Sequence, residues 1–248
     1  MISLVSDIDG TIYRNKRIEN KDLSSIKKFK KKNKLIFATG RNYITFKKLM
    51  DSYNFDYDYC ILCNGAIILD GNKKIIRNKT FDKKIIKDIY DFIIKYHIDA
   101  GLSISYGIEG IYLKDIISCN FFCVYDKIPK KISGICLELN DGERGKGKFL
   151  SLINKKFKNL SVEQNNNYFD IVCKSVSKGE AVSYLQKKHI IEEDIAVIGD
   201  SDNDLSMLKR FKNSFIIDNA DISVKKYAAY EVNSISDCIS ILGGSNEK

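Results

Sequence analysis

The chain has 248 residues, 44% hydrophobic and 29% charged, a balance that fits one large or two modest folded domains and excludes an intrinsically disordered chain. Its apolar runs are too short to span a bilayer, and the first strand-like run opens at residue 2, so a cytoplasmic protein with no secretory leader and no membrane partner is expected. Lys and Arg outnumber Asp and Glu by 41 to 32, a net charge of +9, which alone does not choose between nucleic acid and small anions as partners.

Ile2 to Val5 reads as a buried strand that delivers Asp7 and Asp9 to its C-terminal end, two residues apart and so on one side of an extended segment. Gly10 then lets the backbone turn. Ile18 to Lys30 follows as a helix with Leu23, Ile26 and Phe29 on one side, which makes the basic run Lys27 to Lys34 a solvated helix face rather than a nucleic-acid site. The strand Leu35 to Ala38 ends at Thr39-Gly40-Arg41-Asn42, a helix spans Tyr43 to Tyr53, and the strand Tyr59 to Cys63 ends at Asn64-Gly65-Ala66. This alternation predicts a parallel sheet with its ligand site beyond the strand ends.

The pattern then changes. A hairpin over Ile67 to Thr80 turns at Asp70-Gly71, and Phe81 to His97 reads as a helix. Strand-like segments follow near 101–106, 109–114, 119–125 and 133–139, then a loop over Asp141 to Gly145, a helix near 147–157, and a turn at Asn165-Asn166-Asn167 into a strand from Tyr168 to Cys173. The alternation resumes with a helix from Lys178 to His189, the strand Ile195 to Ile198 ending at Gly199-Asp200-Ser201-Asp202-Asn203-Asp204, a helix holding Leu205 and Leu208, and the strand Ser214 to Ile217. The expected fold is α/β: a Rossmann-like parallel-sheet core from residues 1–81 and 175–248, with an inserted α+β cap domain over 82–174.

The seven cysteines, an odd number, point to reduced thiols. Cys60-x-x-Cys63 and Cys119-x-x-x-Cys123 have metal-ligand spacing, but the first pair lies in a strand-like run with side chains on opposite faces, so buried thiols are the expectation.

A carboxylate that attacks beside one that moves protons is a known division of labour, and Asp7 and Asp9 fit it. If Asp7 attacks a phosphate monoester, like charges at about 4 Å oppose it by roughly 4 kcal/mol per pair at an effective dielectric near 20. The site therefore needs positive charge. A hard divalent cation on oxygen ligands is the natural choice, with Asp200 opposite Asp7, Asp204 four residues on and Asn203 beside it. Lys178 is the candidate second charge, and Thr39 and Gly40 offer a hydroxyl and a backbone N–H to phosphate oxygens. Asp9 serves as acid only while protonated, a state that nearby negative oxygens favour and a metal opposes.

Asp7 to Thr11 (D-x-D-G-T), Thr39 to Arg41 (T-G-R), Ser177 to Gly179 (S-K-G) and Gly199 to Asp204 (G-D-S-x-N-D) together resemble the haloacid dehalogenase-like superfamily of phosphotransferases. Asn64-Gly65-Ala66 and the insert after it resemble the Cof-type branch. The resemblance implies a Mg²⁺-dependent phosphatase of small phosphorylated metabolites such as sugar phosphates or phosphoglycolate, working through a phospho-aspartyl intermediate. It implies Asp7 as nucleophile and Asp9 as acid/base. Mg²⁺ would be held by Asp7, the Asp9 carbonyl and Asp200, with Asp204 binding directly or through water. Thr39, Gly40, Lys178 and Asn203 would hold the phosphoryl group, with Arg41 assisting near the cap. Asp218-Asn219-Ala220, where the branch carries a glycine before Asn-Ala, and the stretch around Asp237-Cys238 depart from the pattern, away from the four motifs in sequence.

A phosphomutase shares the nucleophile and metal, and a phospho-acceptor signalling domain shares the Asp, Thr and Lys; the long insert and the Gly199 to Asp204 motif disfavour the latter. Specificity is expected in the insert, where Tyr106, Glu109, Glu138, Arg144 and Lys148 are candidate polar contacts.

Overall fold

The computed structural model describes residues 1–117, 119–139, 146–165 and 167–244. The N-terminal segment alternates strand and helix: β1 (Ser3–Ser6), α1 (Asn20–Lys30), β2 (Lys34–Ala38), α2 (Tyr43–Tyr53) and β3 (Tyr59–Leu62). A hairpin of β4 (Ile67–Asp70) and β5 (Ile75–Asn78) follows. The middle of the chain holds β6 (Phe81–Asp82), α3 (Ile85–Tyr96), β7 (Ala100–Tyr106), β8 (Glu109–Leu113), α4 (Phe121–Lys127), β9 (Lys131–Ile132), β10 (Gly134–Leu139), α5 (Lys146–Lys156), β11 (Leu160–Asn165) and β12 (Tyr168–Cys173). The C-terminal third adds α6 (Lys178–Lys187), β13 (Ile195–Gly199), α7 (Leu205–Leu208), β14 (Asn213–Ile217), α8 (Ile222–Lys225), β15 (Tyr230–Val232) and α9 (Ile235–Gly244).

The larger sheet runs β15-β14-β13-β1-β2-β3-β4-β5, parallel from β15 to β3 and antiparallel at β4 and β5. β1 lies in the middle with every residue buried. Its side chains serve opposite faces, Leu4 packing with Ile26 and Phe29 of α1, Val5 with Ala181 and Leu185 of α6. From β1 the chain winds outward one way through β2 and β3, and the other way through β13 and β14. That reversal is the switch point at which such sheets open a crevice beyond their carboxyl ends. The expected α/β fold with a parallel core is therefore observed.

A second, antiparallel sheet runs β11-β12-β10-β7-β8. Alternation divides its faces. Leu102, Ile104, Leu137, Phe169 and Ile171 bury against Ile89, Ile93, Phe149 and Ile153 of α3 and α5, while Ser103, Cys136 and Asp170 point the other way, toward the strand ends of the larger sheet.

Four segments differ from the sequence reading. Residues 119–125 were expected as strand, yet Phe121–Lys127 is helical: Asn120 caps its start, accepting from the Cys123 N–H at 3.5 Å, and Phe121 and Tyr125 bury one helical turn apart. Phe81 and Asp82, expected to open a helix, instead pair with Ile132 and Lys131. Cys63 leaves the strand for a turn. Leu160–Asn165 forms a strand that its mixed polarity did not announce. The 141–145 loop and Asn166 fall outside the described residues.

Candidate active site

The tip of β1 places Asp7, and the turn after it depends on Gly10. Gly10 has φ +90°, and a Cβ there would stand 2.2 Å from Asp200 Oδ2, so the glycine is what lets the β13 tip close on the β1 tip. Thr11 then donates to Asp200 Oδ1 at 2.8 Å. Asp200 follows β13, and a short helical turn after it brings back Asp204, whose Oδ2 accepts from the Asp200 and Ser201 N–H groups at 3.0 and 3.2 Å.

Lys178 joins these tips. It opens α6, whose N-cap Ser177 accepts from the Glu180 N–H. Close packing of α6 requires Gly179, since a Cβ there would lie 1.9 Å from the Ser206 carbonyl oxygen. Lys178 has no exposed surface, and its Nζ donates to Asp7 Oδ1 (2.6 Å), Asp204 Oδ1 (2.7 Å) and Asn203 Oδ1 (3.2 Å). Burial alone would push this ammonium down, but the Asp204 and Asp7 carboxylates outweigh it and hold the lysine charged, above its usual value.

The carboxylates respond in the opposite sense. Burial drives Asp7 well above the ordinary range against the pull of Lys178, with Asp204 and Asp200 adding repulsion. Burial also pushes Asp200 up to about 6, Asp204 again adding to it. Asp7 Oδ2 is buried with no hydrogen-bond partner, and ligand atoms of Asp7, Asp200 and Asp204 lie within 4.8 Å of one another. An orphaned buried oxygen facing a second carboxylate, in an all-oxygen donor set, fits a hard divalent cation.

Around this cluster, Thr39 at the tip of β2 is buried, its Oγ1 accepting from the Arg41 N–H at 3.1 Å. Arg41 forks onto Asp9, Nε to Oδ2 at 2.7 Å and Nη2 to Oδ1 at 2.6 Å. At the tip of β3, Cys63, Asn64 and Gly65 take three consecutive positive φ angles of 49°, 52° and 109°. A non-glycine residue held there costs about 1–3 kcal/mol and persists only where its surroundings enforce it. Here the turn aims Asn64 inward: its Nδ2 donates to Asp170 Oδ2 at 3.2 Å, and its Oδ1 accepts from Asn203 Nδ2 at 3.5 Å.

The space between the two sheets is a cavity of about 570 Å³. Asp7, Asp9, Thr39, Gly40, Arg41 and Asn203 line it from the larger sheet; Lys178, Asp200 and Asp204 lie behind this surface, joined to it through Asp7 and Asn203. All nine sequence-predicted site residues are thus brought to one place. Of the insert candidates, Glu138 lines the cavity, Tyr106, Glu109 and Lys148 do not, and Arg144 lies outside the described residues. Lys148 instead sits over the Tyr96 ring. Sequence reasoning missed Asp170 and Ser103, whose signal was a polar residue at alternate positions of an otherwise apolar strand. Asn219, outside the motifs in sequence, shares a second cavity of about 470 Å³ with Gly10. Cys60 and Cys63 are free and buried, which pushes both thiols up to about 12. Among the described residues no helix is long and apolar enough to cross a membrane.

The haloacid dehalogenase-like hydrolase family matches residues 4–241. An uncharacterized protein of Mycoplasma capricolum is 34% identical, over 94% of this chain and 97% of its own length. The 5-amino-6-(5-phospho-D-ribitylamino)uracil phosphatase YcsE of Bacillus subtilis is 24% identical, over 90% of this chain and 86% of its own. Among solved structures, the subclass IIB sugar phosphatase BT4131 superposes with a TM-score of 0.79 at 19% identity, covering 98% of this chain and 99% of that one.

Proposed function

The chain belongs to the haloacid dehalogenase-like hydrolases and is an enzyme of the phosphoric monoester hydrolase kind; from that premise we propose that it is a Mg²⁺-dependent phosphatase of small phosphorylated metabolites. Asp7 attacks phosphorus through one carboxylate oxygen while the other faces the cation site, giving a phospho-aspartate and expelling an alkoxide. Asp9 protonates that alkoxide and then takes a proton from the water that hydrolyses the acyl phosphate. The observation that carries this reading is the pairing of one buried, unpartnered carboxylate oxygen with a fully buried lysine on the same side chain.

Lys178 keeps Asp7 aimed and supplies fixed positive charge beside the phosphoryl group, as does the Thr39 hydroxyl with a hydrogen bond. Arg41 rests forked onto both oxygens of Asp9, and the dianionic phosphate of a substrate is a competing acceptor for that guanidinium, which would free Asp9 to face the leaving group. Asp7 and Asp200 would hold the Mg²⁺ directly. Both oxygens of Asp204 are taken, by Lys178 and by two backbone N–H groups, so its part is to fix Asp200 and Lys178 rather than to bind first. When bound, the cation offsets the charge that builds on the phosphoryl oxygens. Residues 82–174 serve as the cap that closes over the leaving group and shields the acyl phosphate from bulk water.

The test is phosphate release from a panel of phosphorylated metabolites with and without Mg²⁺, with mass spectrometry of acid-quenched enzyme. Phosphate on the peptide that holds Asp7 is the expected result. Turnover with the label on another residue, or with none, would defeat the assignment.

A further inference from the structure

The cap sheet meets the cavity with a single cross-strand row. Glu163 pairs with Asp170, Asp170 with Cys136, Cys136 with Ser103 and Ser103 with Tyr112, in register across five strands, so their side chains share one face. Asp170 is the carboxylate of that row on the cavity lining. Its Oδ2 accepts from Asn64, and a Cβ at Gly40 would come 2.8 Å from it, which places the carboxylate directly over the strand end that the phosphoryl group is proposed to occupy. Glu138, one step along the same face, also lines the cavity and is held by the Tyr168 hydroxyl, which donates at 2.7 Å.

Asp170 accepts from Asn64 and Cys136, and Glu138 from the Tyr168 hydroxyl. Behind this lining, Glu163 Oε2 is buried with no hydrogen-bond partner. Burial pushes Glu163 up to about 7, and it pushes Asp170 up to about 6 even though Cys136 and Asn64 donate to it. Among the described lining residues the cation is Arg41, which is already forked onto Asp9. A leaving group that brings hydroxyl or ammonium hydrogens fills a need on this wall, whereas one that brings a carboxylate meets like charge in a partly desolvated space.

We propose that Asp170, with Glu138 beside it, reads the leaving group and selects hydroxyl- or amine-bearing phosphate esters over esters that carry a second anionic group. This rests on the phosphatase reading above and narrows it, setting sugar and amino-sugar phosphates ahead of phosphorylated acids.

The test compares kcat/KM for glucosamine 6-phosphate, glucose 6-phosphate and 6-phosphogluconate, with p-nitrophenyl phosphate as a leaving group without donors. The two sugars are expected to exceed the acid by about tenfold or more. Asp170→Asn is expected to shrink that ratio about fivefold, with Glu138→Gln as the second variant should the first not fold. Because the ratio is taken within each protein, a general loss of activity cancels. Equal or faster hydrolysis of the acid, an unchanged ratio in both variants, or turnover of p-nitrophenyl phosphate with none of the sugars would overturn the proposal. Absence of any p-nitrophenyl phosphate hydrolysis with Mg²⁺ would instead count against the phosphatase reading itself.

Discussion

The larger sheet meets the cavity end-on, through the tips of β1, β2 and β3, with the tip of β13 packed just behind, whereas the five-stranded sheet meets it face-on, through alternate side chains of strands already anchored on α3 and α5. The innermost end-on groups are buried and interlocked: Lys178 joins Asp7 to Asp204, and Asp204 is fixed by the Asp200 and Ser201 N–H groups. The face-on groups make a few side-chain hydrogen bonds each, on a sheet whose apolar core lies on its opposite face. Substitution at the strand ends should therefore cost both chemistry and folding, and substitution on the sheet face mainly selectivity.

The largest effect should come from Asp7→Asn, which keeps shape and removes the proposed nucleophile; phosphate release should fall on the order of 10⁴-fold with the circular dichroism spectrum intact. Retained turnover would erase the contrast between the two regions. Next is Lys178→Met, which leaves Asp7 and Asp204 buried without their cation and should cost about 3–5 kcal/mol in urea unfolding at neutral pH. A loss under 1 kcal/mol would mean that the end-on cluster is not interlocked. Asn64→Ala breaks the link from β3 to Asp170 and leaves a side chain with no amide in the left-handed turn, so a loss of about 1–2 kcal/mol is expected, with a rise in KM for sugar phosphates larger than that for p-nitrophenyl phosphate.

The smallest effect sharpens the comparison on the face-on side. Burial raises Glu163 to about 7 in the fold, with Lys178 opposing and Asp170 and Asp204 adding to it. A raised folded-state value means that Glu163 stabilises the fold below its unfolded value and that this contribution is lost as pH rises through about 7. Stability should thus decline between about pH 5 and 8, and Glu163→Gln should flatten that decline by about 2 kcal/mol, read from urea midpoints across the range. An unaltered pH profile would show that this carboxylate is open to water.

Legibility in the sequence followed the same divide. Strand tips can be read because a buried strand ends where apolar residues stop, so Asp7, Thr39, Asn64 and Asp200 stood out by position. Asp170 did not, although Tyr168 to Cys173 was expected as a strand. Which alternate face of that strand meets the catalytic groups depends on its register with β10 and β11, and register is fixed by pairing partners that no local pattern specifies. The helix at Phe121–Lys127 was hidden by aromatic and β-branched residues, whose strand preference yielded to a cap and to burial one turn apart.

The position of β1 has a consequence for synthesis. Ribosomes release this strand well before one of its two neighbours, β13, which begins only at Ile195. Throughout that interval one edge of the central strand lacks its backbone partner. A chain stalled before that point carries Asp7 on an open edge without Asp200 or Asp204, a species suited to aggregation and to capture by chaperones.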